Sequence, residues 1–355
     1  MEIYAVIMAG GVGARFWPRS KERKPKQLIR IVGENTMIQD TVKRLNGLVK
    51  PENIFVITNK IQKLRVKEQL ENIPEQNIID EPFGKNTAAC IGLASVLIKK
   101  KNPNAVTIIL PSDHLIQDEE AFKKCLKAAV EHAESSKGLV TIGITPTRPE
   151  TGYGYIQFDE KELENNIFKV LTFAEKPNLS TAKRFVESGD FLWNSGIFIW
   201  RIDSILNEIE KHLPDLHDGL NKLFPTIDTP EFDSELVHVY GQIKSISIDY
   251  GVMEKSDSVY VVKADFYWND VGNWDAVYEV TEKNEENNAL IGDVYAEKTF
   301  GSYIFSPRTF TAVIGVEDLI VINTNEALLV CNRHNAQDVR NVVDFLKMNK
   351  RTELI

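Results

Sequence analysis

The sequence predicts an α/β fold: a mostly parallel sheet with helices on both faces, followed by a small β-rich region and a final helix. Apolar, β-branched runs alternate with helical patterns up to residue 144, and this alternation is typical of parallel sheets. A glycine-rich loop, 9–13, follows the first of these runs, at the position where α/β domains bind ligands. After a polar stretch, 282–288, short strand patterns follow one another with only turns between them.

The composition is that of a globular protein of ordinary charge. The 355 residues suffice for one large domain and a smaller one, and the net charge of −9 disfavours a general nucleic-acid surface. No apolar run reaches the length needed to span a membrane. The three cysteines, Cys90, Cys125 and Cys331, form no C-x-x-C pair. We therefore expect reduced thiols, a cytoplasmic protein, and neither nucleic acid nor a membrane as a partner.

The first half of the chain predicts a Rossmann-like arrangement. Its strand patterns are 3–8, 54–58, 77–79, 106–110 and 139–144. The helical patterns between them are 36–49, 62–70, 86–100 and 121–135. Asn86 and Thr87 are residue types suited to cap the third of these helices. Because the carboxyl ends of parallel strands meet at one edge of the sheet, we expect the loops 9–15, 81–87 and 111–114 to lie together.

From Thr145 the pattern changes, and we interpret this region as a lid or second-substrate region built onto the same sheet. A glycine-rich turn, 151–155, leads into a strand, and a loop, 268–272, precedes a helix that begins at Asn273. The other helical patterns are 180–188, 203–212, 231–242 and 247–255. The other strand patterns are 172–174, one that ends at Trp200, and 259–264.

The polar stretch 282–288 has no apolar periodicity, so we interpret it as a linker. It divides a predicted large domain, 1–284, from a predicted C-terminal domain, 285–355. The strand patterns of the smaller domain are 302–305, 312–316, 319–323 and 327–331, with a terminal helix at 335–347. Strands at this close spacing are typical of a left-handed β-helix-like coil. We expect this domain to be the oligomerisation region.

The glycine loop alone is a weak signal. It lacks the third glycine of the dinucleotide fingerprint, because Phe16 stands there, and it lacks the G-K-[ST] ending of a P-loop. A plain strand-to-helix connection would explain it equally well. Arg15 and Lys26 favour a different interpretation, in which cations on a stiffened segment clamp a polyphosphate. Four neighbouring cations are interpreted as a solvated charge run: Arg19, Lys21, Arg23 and Lys24.

Two loop carboxylates are candidate metal ligands. Asp113 follows the strand pattern 106–110, and Asp270 lies in the loop before the helix at Asn273. Magnesium binds through one or two carboxylates together with substrate phosphates, so these two residues suit it if the fold brings them together. The chain has 51 acidic residues, most of them expected on the surface, and spacing alone leaves both interpretations open.

Three further features each have two interpretations. Glu81 precedes a helix start, where it could accept from the N1–H and amino groups of guanine or belong to an ordinary helix cap. Glu175 and Lys176 could supply a hydroxyl acceptor and a phosphate cation, or form an exposed ion pair. Trp193 and Trp268 stand beside polar loop residues, which suits the apolar wall of a sugar site as well as the core.

Several motifs, taken together and in order, resemble those of a known family. They are A-G-G-V-G-A-R-F-W-P with K-P-K-Q, E-P-F-G-K-N-T-A, L-P-S-D-H, T-G-Y-G-Y-I, E-K-P, F-L-W-N-S-G-I-F, S-I-D-Y-G-V-M-E-K and W-N-D-V-G-N-W. Along nearly its whole length the chain resembles the mannose-1-phosphate guanylyltransferases, a branch of the sugar-nucleotide pyrophosphorylases. Family members more often have Thr or Glu in place of Ala14 and Ser or Gly in place of Asn269, and neither departure removes a charge.

The resemblance implies a GT-A-like nucleotidyltransferase fold and a reaction in which GTP and mannose 1-phosphate give GDP-mannose and diphosphate. It implies four catalytic residues, with Arg15 and Lys26 stabilising the triphosphate and Asp113 and Asp270 holding Mg²⁺. The nucleotide-binding residues that it implies are Ala9, Gly10, Gly11, Gly13, Arg15, Lys26, Glu81, Asn86, Thr87 and Asp113. The sugar-phosphate-binding residues that it implies are Gly154, Glu175, Lys176, Asn194 and Asp270. We expect a homodimer.

Two other functions compete with this one. A pyrophosphorylase that uses another base or sugar, such as glucose 1-phosphate with ATP or UTP, would need the same cations and carboxylates. A regulatory subunit that kept the fold and lost catalysis is the non-enzymatic alternative, and the intact catalytic residues argue against it. Too few residues follow the linker for a fused isomerase domain, so we expect no isomerase activity.

Overall fold

The computed structural model describes residues 2–11 and 13–355, so Val12 of the glycine loop lies outside the described residues. The strands are β1 Ile3–Met8, β2 Ile54–Asn59, β3 Ile78–Glu81, β4 Val106–Pro111, β5 Leu115–Ile116, β6 Leu139–Ile144, β7 Gly154–Glu164, β8 Ile167–Glu175, β9 Phe191–Arg201, β10 Val259–Lys263, β11 Trp268–Asn269, β12 Ala289–Glu297, β13 Tyr303–Ile314, β14 Leu319–Asn323 and β15 Leu328–Asn332. The α-helices are α1 Met37–Lys43, α2 Lys63–Gln69, α3 Asn86–Lys101, α4 Glu119–Ser136, α5 Leu179–Ser188, α6 Ile202–His212, α7 Pro214–Leu223, α8 Phe232–Gln242, α9 Trp274–Val280 and α10 Val339–Met348.

A nine-stranded mixed sheet forms the centre of the molecule and confirms the predicted α/β class. Its strand order is β3-β2-β1-β4-β9-β6-β10-β8-β7. The first four strands are parallel, β9 lies antiparallel between β4 and β6, and β10 is parallel to β6. The inner positions of β1 are fully buried because helices cover both faces of the sheet, and each face has its own apolar core.

The strands β5, β11 and β12 and the helix α7 were not predicted from the sequence, and the β7–β8 hairpin was predicted too short. The hairpin of β7 and β8 is much longer than the predicted strand at 172–174, because the outer half of β7 is polar and exposed and has no apolar alternation. The helix α7 begins with Pro214 at a first-turn position and buries Leu216, Leu220 and Leu223. This spacing is helical, so the signal was present in the sequence.

The C-terminal region forms a four-stranded sheet, in the order β12-β13-β14-β15. β12, β13 and β14 are consecutive and parallel with short connections, which is the arrangement of a β-helix-like coil. The prediction of two strands at 302–305 and 312–316 was wrong, because β13 is one strand. The pairing of β12 with β13 shifts register after Gly292, whose φ of +101° and close approach to Ser306 leave no room for a Cβ.

A third apolar core joins the C-terminal region to the segment after the glycine loop. Phe16 and Trp17 pack there with Trp274, Tyr303 and residues of α10. The indole N–H of Trp17 also donates to the carbonyl of Leu354, at 3.0 Å. The C-terminal helix therefore holds the segment that contains Arg15. In the described part of the chain, no helix is both long enough and apolar enough to cross a bilayer.

Candidate active site

The carboxyl ends of the parallel strands bring the predicted loops side by side. Met8 at the end of β1 is paired with Pro111 of β4, and Asn59 at the end of β2 is paired with Glu81 of β3. Glu81, the glycine loop and Asp113 therefore follow one another along one edge of the sheet. This order confirms the expectation that the loops 9–15, 81–87 and 111–114 lie together.

The glycine loop is held by hydrogen bonds to its carbonyl oxygens. The Gln27 amide donates to the carbonyls of Ala9 and Gly11, at 3.0 and 2.9 Å, and the Ser20 hydroxyl donates to that of Gly13, at 2.6 Å. The backbone N–H groups of Gly10, Gly11 and Gly13 donate to no other residue among 2–11 and 13–355. Fixed carbonyls and free N–H groups form a surface suited to an anion.

Gly13 is required by the close approach of Lys26. Its φ is +61°, and a Cβ at this position would lie 2.8 Å from the Cβ of Lys26. Lys26 is only 4% exposed, and its ammonium donates to Asp113 Oδ2 at 3.0 Å and to the Asp270 carbonyl at 2.5 Å. One buried cation thus joins the two loops that carry the candidate metal ligands.

Asp113 and Asp270, whose proximity the spacing in the sequence left open, line the same pocket. Burial alone would raise the pKa of Asp113. The Lys26 ammonium and the other neighbouring groups together outweigh burial, so the pKa of Asp113 lies below its ordinary value. Asp270 Oδ1 accepts from the Tyr153 hydroxyl at 2.6 Å and from the Gly272 N–H at 3.1 Å. The second oxygen of each carboxylate accepts no hydrogen bond from the described residues. This donor set fits a magnesium ion that also binds phosphate oxygens and water.

The pocket has a volume of about 310 Å³, and two cations face it besides Lys26. Arg15 lies on a short 3₁₀ helix, Ala14–Phe16, directly after the glycine loop. Arg340 comes from α10 in the C-terminal region and was not predicted as a site residue. The sequence contains no motif that marks it, because only the packing of α10 on the segment at Phe16 brings it here.

His114 also lines this pocket. Its Nδ1 accepts a hydrogen bond from the Trp268 indole N–H, at 3.1 Å. Burial is the main reason that the pKa of His114 is lowered to about 4, so the ring is neutral at pH 7. The positive charge of this pocket therefore comes from Arg and Lys side chains.

Glu81 lies beside the glycine loop, apart from the carboxylate pocket. A Cβ on Gly10 would be 3.4 Å from Glu81 Oε2, and Glu81 Oε1 accepts from the Tyr240 hydroxyl at 3.0 Å. Burial raises the pKa of Glu81 to about 7, against a smaller lowering effect of the Tyr240 hydrogen bond. Tyr240 was not predicted as part of the site.

Asn86 and Thr87 do not cap α3 as predicted. Asn86 has a φ of +67°, and its side chain accepts only from the adjacent Thr87 N–H, at 2.8 Å. The Thr87 hydroxyl accepts instead from the Ile248 N–H, at 2.8 Å, and so ties the start of α3 to the segment before Asp249. The predicted helix cap was wrong because the Thr87 hydroxyl accepts a hydrogen bond from the distant Ile248 instead of from its own helix.

The predicted sugar-phosphate residues form a second group beside Tyr153. A Cβ on Gly154 would lie 2.3 Å from Glu175 Oε2 and 3.3 Å from the Cβ of Asn194, so this glycine makes room for both. Lys176 pairs with Glu175, with 2.6 Å between Nζ and Oε1. Asn194 donates to Asp249 Oδ1 at 2.9 Å.

Asp249 was missed as an individual residue, although it belongs to the motif S-I-D-Y-G-V-M-E-K. It lies in a short π-helix, Asp249–Met253, against Asn194. Burial, followed by the charge of Glu175, raises the pKa of Asp249 to about 6. A partly buried carboxylate with a raised pKa, in contact with another polar side chain, is typical of a binding site.

The two tryptophans are part of the core. Trp193 and Trp268 are 4% and 6% exposed, and each packs edge-on against Tyr153, with ring centroids 5.2 and 5.3 Å apart. They support Tyr153, whose hydroxyl holds Asp270. Tyr153 therefore connects the carboxylate pocket with the group around Gly154.

Comparison with known families agrees with this geometry. The Nucleotidyl transferase family matches residues 4–287, and the MannoseP isomerase/GMP-like beta-helix domain family matches residues 296–346. The fold and the site thus define a nucleotidyltransferase with a β-helix-like C-terminal region.

Individual relatives indicate which family of nucleotidyltransferases the chain belongs to. A mannose-1-phosphate guanylyltransferase of Escherichia coli K12 is 40% identical over 99% of this chain and 75% of its own length. The mannose-1-phosphate guanylyltransferase RfbM of Salmonella typhimurium is 40% identical over 99% of this chain and 74% of its length. A solved structure described as a mannose-1-phosphate geranyltransferase of Thermus thermophilus is 34% identical and covers 98% of this chain and 100% of its own, with a TM-score of 0.89. The chain belongs to the mannose-1-phosphate guanylyltransferase family.

Proposed function

We propose that this protein transfers a guanylyl group from GTP to mannose 1-phosphate, which yields GDP-mannose and diphosphate. The observation that carries the proposal is the convergence of Lys26, Asp113 and Asp270 in one pocket beside the glycine loop, where the N–H groups of Gly10, Gly11 and Gly13 donate to no other described residue. The names of the curated relatives support the choice of substrates.

The reaction is an in-line displacement at phosphorus. A phosphate oxygen of mannose 1-phosphate forms a bond to the α-phosphorus of GTP, and the bond from this phosphorus to the β-phosphate oxygen breaks. The electron pair leaves with diphosphate. No covalent help from the protein is required, so positioning and charge neutralisation are its main contributions.

Each side chain has a role in this displacement. Arg15 and Lys26 offset the negative charge that builds on the departing diphosphate. The glycine loop N–H groups orient the phosphates. Gly154, Glu175 and Asn194 border the space for the sugar, and Lys176 supplies a cation for its phosphate.

Asp113 and Asp270 would hold Mg²⁺ through the carboxylate oxygens that accept no hydrogen bond from the described residues. The ion would neutralise charge on phosphate oxygens of both substrates when it is bound. Lys26 fixes the separation of the two loops, since its ammonium contacts a side-chain oxygen of one and a backbone oxygen of the other.

Glu81 is the residue proposed to select guanine. A carboxylate can accept from both the N1–H and the amino group of guanine, whereas adenine lacks this pair of donors. Glu81 Oε2 faces Gly10, and Asn86 and Thr87 begin the next helix beside it. We place the base and ribose between these residues and the glycine loop.

The test is release of diphosphate from each combination of the four nucleoside triphosphates with mannose 1-phosphate and glucose 1-phosphate. We expect GTP with mannose 1-phosphate to give the highest kcat/KM, and to require a divalent cation. A higher value for ATP or UTP would contradict the base assignment, and one for glucose 1-phosphate the sugar assignment. No release with any pair would favour a regulatory subunit.

We also propose a division into domains 1–284 and 285–355, a homodimer formed through the C-terminal domain, and a cytoplasmic location. Exposed apolar side chains on that domain support the dimer; they include Phe310, Ile314, Leu328 and Val330. The three free cysteines support a reducing compartment. Light scattering measures the mass of the double variant Phe310→Glu/Leu328→Glu, which we expect to be that of a monomer. A dimer mass equal to that of the unmodified protein would contradict an interface through these C-terminal residues.

A further inference from the structure

A cavity of about 840 Å³ lies between the segment 18–30 and the C-terminal sheet, separate from the carboxylate pocket. We call it the basic cleft. Seven of the side chains around it are cationic and one, Glu326, is acidic. This excess of positive charge occurs in a protein whose net charge is −9. Five of the seven form no ion pair and donate no hydrogen bond to another described residue: Arg23, Lys24, Arg30, Arg65 and Arg308.

The other two cations have structural partners. The Arg19 guanidinium lies 4.1 Å from the ring centroid of Phe305 in β13 and donates to the carbonyl of Arg30. Lys21 forms an ion pair with Glu326. The interpretation of Arg19 as a solvated charge was therefore wrong, because it joins the two walls of the basic cleft.

Of the five unpaired cations, Arg30 and Arg65 are near enough to Lys24 for their charges to repel it. Partial burial, followed by the positive charges of Arg65 and Arg19, lowers the pKa of the Lys24 ammonium. The five unpaired cations come from separate parts of the fold, since Arg65 belongs to α2 and Arg308 to β13. Like charges held together without a counter-charge destabilise the folded state unless an anion binds between them.

We propose that the basic cleft is a second binding site, for a small phosphorylated molecule that carries two or more negative charges. Its volume lies in the range of small-molecule sites and exceeds that of one phosphate group. The amide of Asn325 lies along the same cavity and suits hydroxyl or phosphate oxygens, as does that of Asn323, whose Nδ2 also donates to the Ser306 hydroxyl at 3.1 Å. Arginine and lysine at several angles match the oxygens of a polyphosphate.

The concave shape favours a small molecule over a nucleic acid. Nucleic-acid surfaces present cations along an extended face, and the rest of this chain is acidic. The segment 18–30 also contributes Lys26 to the carboxylate pocket, while Lys24 and Arg30 face the basic cleft. A molecule in the cleft thus contacts the segment that holds a catalytic cation.

The site is tested by calorimetric titration of the full chain with inorganic triphosphate, inorganic phosphate and a single-stranded oligonucleotide. We compare the unmodified protein with Arg30→Gln/Arg65→Gln, and use Arg15→Gln/Arg340→Gln as the matched control that removes two cations from the carboxylate pocket. Thermal unfolding of each variant checks the fold. None of the measurements depends on enzymatic activity.

We expect triphosphate binding to weaken by at least about tenfold in Arg30→Gln/Arg65→Gln, as for the loss of charge-assisted hydrogen bonds. A tight component should persist in the control, and inorganic phosphate should bind more weakly than triphosphate. Equal binding in Arg30→Gln/Arg65→Gln and the unmodified protein would overturn the proposal, as would loss only in the control. Tighter binding of the oligonucleotide through Arg30 and Arg65 would replace it with a nucleic-acid surface.

Discussion

The ammonium of Lys26 and the carboxylate of Asp113 form a hydrogen-bonded ion pair of 3.0 Å at the carboxyl edge of the sheet. The same ammonium contacts the backbone carbonyl of Asp270. Lys26 is buried, so its charge is offset by these oxygens and by the phosphates of a bound substrate. This pair is the point where the segment after the glycine loop meets the candidate metal ligands.

Lys26→Ala should lower kcat by at least about a hundredfold, because it removes a cation placed to stabilise the leaving diphosphate. Steady-state diphosphate release at saturating substrates measures the change. Lys60→Ala is the control, since Lys60 is an exposed lysine with no ion pair among the described residues. Turnover close to that of the unmodified protein would show that Lys26 has no catalytic role.

Asp113→Asn should lower kcat by a similar factor and raise the Mg²⁺ concentration needed for half-maximal rate. Although burial acts against it, the Lys26 ammonium and the other neighbouring groups hold the pKa of Asp113 below its ordinary value, which favours the ionised carboxylate. The stability that this ionised pair contributes is present above the unfolded pKa and is lost as pH falls through the folded one. A Mg²⁺ titration of rate and acid unfolding of the variant test both points, with Asp233→Asn, on an exposed helix position, as the control.

Glu81 should make the use of GTP depend on pH near neutrality. Its pKa is raised to about 7, and only the ionised form accepts from both donors of guanine, so kcat/KM for GTP should rise as pH increases through about 7. Tyr240→Phe removes the hydrogen bond that lowers this pKa, so the midpoint should move to higher pH. Because the folded pKa is raised, protonated Glu81 contributes stability that is lost between pH 4.5 and about 7.

Glu81→Gln should reduce the preference for GTP over ATP by about tenfold or more, since one carboxylate acceptor becomes a donor. Ratios of kcat/KM for the two nucleotides give the result. An unchanged ratio, with an unchanged pH profile, would exclude Glu81 from base recognition.

Arg340→Ala should lower kcat/KM by about tenfold, the expected loss for one exposed phosphate contact, and should leave the unfolding temperature unchanged. Arg340→Lys keeps a point charge and should recover part of the loss. Lys350→Ala, in the same region but outside the pocket, is the control. If Arg340→Ala and Lys350→Ala behave alike, the C-terminal helix contributes no group to the reaction.

The sequence predicted most of the fold where the signal is local. Buried strands such as β1 are continuous apolar runs, and helices such as α4 have regular spacing, so both were found near their true positions. The outer part of β7 was missed because an exposed strand with charged side chains has no apolar period. The cap at Asn86 and Thr87 failed because a distant backbone N–H competes for the hydroxyl.

By itself, the sequence determined the α/β class, the position of the glycine loop directly after the first strand, and the family. These depend on residue order and on short-range chemistry, which a linear pattern records. Only the tertiary structure decided that Arg340 faces the carboxylate pocket, that Asp249 contacts Asn194, and that cations from three regions surround one cleft. Such contacts join residues far apart in the chain, and their distances follow from how the sheet and the C-terminal coil pack together.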